Sequence, residues 1–224
     1  MRTELHPRGL EVVTVALDTG GPDAVRRWVD EAGAAHPSTI DEAHLLDELL
    51  GVVNVPTGVW IDEHGVIVRP PEPAHARPNR FADQPIPDGV DARTRDALEQ
   101  VSKLRSESDK YKAALYDWVE RGAASPYALP PDEVIRRSRP RTADTATAAA
   151  AFELGQHLHR AGHPDAAVPW FREAHRRQPD NWTYKRQAWS FVDRSQGPND
   201  VYDGNWLDDV KAAGAGNYYP ALDL

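Results

Sequence analysis

NVPTGVWIDEHGVIV, residues 54–68, holds two apolar runs separated by Glu63-His64-Gly65. Apolar, β-branched runs on either side of a short glycine-containing turn predict an antiparallel hairpin. Upstream, GLEVVTVALD (residues 9–18) begins with a turn glycine. Its Val12, Val13, Val15 and Leu17 predict a strand covered on both faces. Thr19-Gly20-Gly21-Pro22 punctuates that strand, with Pro22 placed to open a helix and Asp23 in its first turn. Val25, Trp28, Val29 and Ala32 repeat at helical spacing, and Gly33 is placed to stop the helix. Residues 35–41 read as a short strand or extended link. A second helix is expected from Glu42 to Leu50, with Leu45, Leu46, Leu49 and Leu50 as its apolar face and Gly51 at its end. Val52–Val55 reads as a further short strand. The order strand, helix, short strand, helix, strand, hairpin describes an α/β unit with a mixed sheet and flanking helices.

Beyond the hairpin the composition changes. Residues 71–89 are dense in proline and read as a linker, residues 90–122 as a helical connector, and residues 123–143 as a second proline- and arginine-rich linker. In the connector, Val101, Leu104, Tyr111, Leu115, Trp118 and Val119 form one stripe with a gap near Ser108. Residues 144–192 read as a helical pair turning at Gly162-His163-Pro164, followed by a third helix that Asn181 caps. The tail, residues 193–224, carries Tyr202, Trp206 and Tyr218-Tyr219-Pro220. A tail this aromatic is expected to pack back onto the body.

Composition excludes several kinds of chemistry. The 224 residues include no cysteine and one methionine, so disulfides, cysteine zinc sites and thiol nucleophiles cannot arise from them. The formal charge of −9 argues against nucleic-acid binding, despite the local basic stretches Arg136–Arg141 and Arg172–Arg177. No apolar run approaches the roughly 18 residues needed to cross a bilayer. No secretion-type leader is evident in the opening residues, and the expectation is a cytoplasmic protein. There is no nucleophile elbow, phosphate loop or dinucleotide fingerprint. His157, His159 and His163 lie close in sequence, but positions 157 and 159 point about 200° apart on a helix. His175 stands beside Arg176 and Arg177, so no metal and no other cofactor is expected. His36 and His44 read as surface histidines, with the approach of one of them to the active edge as the other reading. Asp18 ends the first strand, on the side where α/β sites form.

GLEVVTVALD and NVPTGVWIDEHGVIV together resemble the thioredoxin-like domains of the TlpA/ResA redoxin type. The resemblance covers about 60 residues, from Leu10 to Arg69. It implies that Pro56 is a cis-proline facing the active site and that Asp62 and Gly65 shape the hairpin turn. A cis-proline there interrupts backbone pairing and leaves a carbonyl free for an extended partner. The implied partner edge is Val55, Pro56, Thr57 and Trp60, with Asp18 nearby, although Trp60 reads first as a core residue. The resemblance also implies a first strand, a Cys-x-x-Cys turn and a redox helix, of which residues 1–8 supply at most the helix end, with Glu4, Leu5 and His6 on it. Residues 1–70 therefore read as an incomplete thioredoxin-like domain. NWTYKRQAWSF and GNWLDDVKAAGAGNYYP resemble a bacterial group of redoxin-like proteins in which a cysteine or selenocysteine sits in an upstream turn. The expectation is a native product that begins before Met1, with a partner or dimer mate covering the gap as the other explanation.

Residues 151–179 resemble one tetratricopeptide repeat. Leu154-Gly155, Leu158, Ala167, Phe171, Ala174 and Pro179 fall at its spacings, and Ala151 replaces its first aromatic. Small residues let two antiparallel helices approach while Phe171 fills the space between them. One repeat makes no recognition groove by itself, since roughly three are normally needed. Two functions follow as expectations. One is a thiol- or selenol-dependent oxidoreductase in full-length form, inactive as the cysteine-free chain. The other is a non-catalytic module that binds a protein or peptide, or a second copy of itself, through the sheet edge and the helical pair.

Overall fold

The computed structural model describes residues 1–138 and 140–224. Arg139, in the first basic stretch, lies outside the described residues. The chain forms a mixed α/β structure with two small sheets and many helices. Helix α1 (Arg2–Leu5) leads through a short 3-10 turn to β1 (Thr14–Leu17), α2 (Pro22–Ala32), β2 (Ser38–Asp41) and α3 (Leu45–Leu50). The hairpin follows as β3 (Thr57–Ile61) and β4 (Ile67–Pro73). The rest is helical: α4 (Ala92–Ser102), α5 (Ser108–Arg121), α6 (Pro131–Ser138), α7 (Ala143–Arg160), α8 (Pro164–Arg177), α9 (Trp182–Val192) and α10 (Trp206–Ala213).

The sheet is divided. β1 pairs with β2 in parallel, Thr14 opposite Ser38 and Leu17 opposite Asp41. β3 pairs with β4 antiparallel, Thr57 opposite Pro73 and Ile61 opposite Ile67. Among the described residues neither β1 nor β3 has a second strand neighbour. Parallel strands normally lie buried on both faces, and the apolar run of residues 9–18 predicts that. Here Val13 is 57% and Val15 37% exposed.

Their flanking helices share this condition. α2 starts at Pro22 and ends at a left-handed Gly33, as its sequence predicts. Of its apolar face only Val25 is buried, while Trp28 stands in solvent under the guanidinium of Arg27. α3 starts later than expected and buries only part of its predicted face, with Leu46 and Leu50 half-buried. Leu45 and Leu49 are exposed, whereas Asp47 is buried because Asn181 and Thr183 both donate to its carboxylate. Val52–Val55 is an irregular segment, not a strand.

The remaining differences concern boundaries. β4 runs through Pro70, Pro71 and Pro73, inside the span read as leaving the hairpin. Proline lacks an N–H and is tolerated because β4 is an edge strand. The connector is two helices, α4 and α5, broken at residues 103–107, and the second linker contains α6.

Three buried clusters organise the described residues. Leu5, Trp60, Tyr111, Ala114 and Leu115 join α1, β3 and α5, with the Trp60 indole donating to the Tyr111 hydroxyl at 3.1 Å. Phe152, Phe171, Ala174, Tyr184 and Trp189 join α7, α8 and α9. Gly155 lets α7 and α8 meet: a Cβ there would stand 2.8 Å from the Phe171 ring. The tail packs onto this body, with Val210, Ala215 and Tyr218 buried against Trp182. No described helix is long and apolar enough to cross a membrane.

Candidate functional site

Helix α9 is the element around which the site is built. Asn181 caps it by accepting from the Tyr184 N–H at 3.1 Å, as its position in the sequence predicts. The N–H groups of Trp182 and Thr183, two of the donors a helix start leaves free, both donate to the Val53 carbonyl, at 2.8 and 3.2 Å. This anchors the irregular segment before Pro56 on the start of α9. One turn further, Gln187 Oε1 accepts from the Thr19 N–H at 3.0 Å, just past the end of β1. Asp47 of α3 completes the junction through its bonds from Asn181 and Thr183, each 2.7 Å. Burial pushes the Asp47 carboxyl up to about 6, with those hydrogen bonds opposing the shift.

Between α9, the end of β1 and the segment before Pro56 lies a cavity of about 180 Å³. Asp18, His44, Val55, Trp182, Arg186 and Gln187 are in its lining. His44 is 2% exposed, not the surface histidine its sequence context suggests. Its backbone sits in the left-handed region, φ 56°, which is uncommon away from glycine. Because the Thr19 N–H donates to Gln187 Oε1, that atom is the amide oxygen. His44 Nε2, 3.1 Å from the same oxygen, is therefore the protonated nitrogen. Nδ1 is left as a buried acceptor with no partner. Burial lowers the His44 pKa, with the Gln187 bond opposing it, and this favours the neutral ring.

No family model, curated protein or solved structure matches the chain. What the site can do therefore rests on its own geometry.

The structure brings together part of the edge read from the sequence. Asp18 and Val55 line the same cavity. The Val55–Pro56 bond is cis. Thr57 is next to them, its hydroxyl donating to the Asn54 carbonyl at 2.6 Å. Trp60 is elsewhere, 3% exposed and stacked on Trp118 with ring centroids 5.0 Å apart, so it belongs to the core. The carbonyl expected to be free is engaged. Pro56 O accepts from the Ala74 N–H at 3.1 Å, and Val55 O accepts from the Tyr219 hydroxyl at 2.9 Å. The tail thus reaches the partner edge.

His44, Arg186 and Gln187 were missed as site residues. His44 sits in a polar stretch, and its burial depends on Gln187, 143 residues away. No local spacing signals that contact. Among the described residues no three His, Cys, Asp or Glu side chains are grouped to hold a metal ion. The basic stretches are occupied locally: Arg136 and Arg137 bind Glu133, and Arg176 and Arg177 bind Glu173.

Proposed function

We propose that this chain is the substrate-side part of a thioredoxin-like, TlpA/ResA-type oxidoreductase whose thiol or selenol belongs to a preceding segment. With no cysteine, the 224 residues alone carry no thiol activity. The observation that supports this reading is the divided sheet, with β1 and β3 each holding one strand neighbour and β1, α2 and α3 leaving apolar residues in solvent. An added strand and helix in this region supply both a neighbour and a cover. The chemistry is attack by a thiolate or selenolate on one sulfur of a substrate disulfide. The other sulfur leaves as a thiolate, and a mixed disulfide remains on the enzyme. An external dithiol then reduces that bond, releasing the second substrate thiol and becoming a disulfide itself.

One contact favours the non-catalytic alternative: the Tyr219 hydroxyl already occupies the Val55 carbonyl. A single experiment separates the two. The genomic sequence before Met1 is read, the extended chain is produced, and reduction of insulin disulfides by dithiothreitol is followed. The redox reading expects an in-frame strand and Cys or Sec turn, with turnover that is lost in the 224-residue chain and in a serine variant of the turn. Absence of that turn, or an extended chain without turnover, leaves the binding module.

A further inference from the structure

The cavity at the head of α9 carries charges of both signs that nothing neutralises. Asp18 and Arg186 are both in its lining and only partly exposed. The Asp18 carboxylate accepts from the Gly20 N–H at 2.8 Å, a bond within its own turn. Arg186 donates to two neutral oxygens, Gln196 Oε1 at 3.0 Å and the Tyr218 hydroxyl at 3.5 Å. Among the described residues neither forms an ion pair, although the structure pairs many of its other charges. Asn54, Gln187, Ser190 and Gln196 add neutral polar groups to the lining.

A half-buried acid and base in one cavity, each without a counter-ion, are costly unless something else meets them. A single water answers neither charge, and the volume of about 180 Å³ exceeds the roughly 10–15 Å³ that one water requires. Asp18 calls for a ligand with N–H donors. Arg186 calls for a carboxylate, which a guanidinium binds well. Leu17, Val55 and Trp182 supply apolar wall between them.

We propose that this cavity binds a small zwitterion of the amino-acid class. Its ammonium is met by Asp18, its carboxylate by Arg186, and a short aliphatic side chain by the apolar wall. The inference stands on the junction of α9 with β1 and does not rest on the redox reading.

The test titrates the 224-residue chain with L-alanine by calorimetry at neutral pH. Propionate and ethylamine, each carrying one of the two charges, are run in parallel. L-alanine is expected to bind at about millimolar Kd or tighter, and each half-ligand about tenfold or more weaker. Asp18→Asn and Arg186→Gln are each expected to weaken L-alanine by about tenfold or more. Both side chains are partly exposed, so both variants are expected to fold, which circular dichroism checks. Wild-type chain that shows no L-alanine binding to ~50 mM overturns the proposal. So does equal binding of L-alanine and either half-ligand, or binding that both variants leave unchanged.

Discussion

The helical pair α7–α8 and the parallel pair β1–β2 treat their apolar residues in opposite ways. In the first, Phe152 and Phe171 are at most 1% exposed, enclosed together with Trp189 of α9. Around the second, Val13 just before β1, Trp28 of α2 and Leu49 of α3 stand 57%, 61% and 71% exposed. Nine of the fourteen large apolar side chains exposed among the described residues fall between Val13 and Val66. Both regions carry clear periodic patterns in the sequence. The difference is that α7, α8 and α9 present complementary faces to one another, whereas the strands and their helices lack an opposing layer.

The sharpest way to break this comparison is a pair of truncations. Phe171→Ala removes a ring that fills the space between two helices and is expected to cost about 3–5 kcal/mol. Leu49→Ala removes a side chain that touches little and is expected to stay within about 0.5 kcal/mol. Urea unfolding of both variants reads the contrast. A Leu49 loss above about 1 kcal/mol that grows with protein concentration would show that a second copy covers α3 in solution.

Both regions bury titratable groups, and Asp47 and His175 shift with opposite signs. Asp47, where α3 meets α9, has its folded pKa raised from 3.8 to about 6. The folded state then binds more protons than the unfolded state, so this group's contribution is present at low pH and is lost as pH rises through about 6. His175, in the helical core, has its folded pKa lowered from 6.5 to about 4 by burial. There the unfolded state binds more protons, so stability is lost as pH falls from 6.5 toward 4. His44, also lowered by burial, acts in the same direction as His175. Each of Asp47 and His175 corresponds to about 3 kcal/mol, since one pKa unit is about 1.4 kcal/mol. Asp47→Asn removes a component that falls with pH, so its stability should rise more steeply than wild type between pH 4 and 6. His175→Gln removes a component that rises with pH, so its stability should rise less steeply than wild type or fall, both read from urea midpoints. A variant profile with the same slope as wild type contradicts the corresponding assignment.

What the sequence disclosed follows the range of the interactions. Short-range signals were readable: the β3–β4 turn at Glu63-His64-Gly65, the Pro22 start and Gly33 stop of α2, and the Asn181 cap. Features set by distant partners were not. Asp47 is buried while Leu45 and Leu49 are exposed because the start of α9 offers the carboxylate two donors. His44 is buried because Gln187 reaches it, and the cavity exists because α9 docks beside Thr19 and Val53. Proline density misled in both linkers, since an edge strand accepts prolines and so does the first turn of α6. Of the site residues, Asp18 and Val55 could be read from their places at a strand end and before Pro56. Arg186 lies on a helix whose sequence resembles any aromatic-rich amphipathic segment.

The smallest effect probes how tightly the enclosed region is packed. Gly155 lies inside α7, where alanine normally stabilises a helix by about 1 kcal/mol over glycine. A Cβ at that position would stand 2.8 Å from one Phe171 ring atom and 2.9 Å from another, closer than carbon atoms pack. Phe171 is fully buried and stacks obliquely on Phe152, with centroids 5.4 Å apart, so the ring has little room to retreat. Overpacking of this kind costs about 1–3 kcal/mol. Set against the helix gain, Gly155→Ala is expected to destabilise by up to about 2 kcal/mol. Combining it with Phe171→Leu removes the ring edge and should recover part of that loss, a coupling that a double-mutant cycle measures. A neutral or stabilising Gly155→Ala would mean that α7 and α8 separate without penalty. The contrast with β1–β2 would then be one of burial only, with no difference in how tightly the two regions are packed.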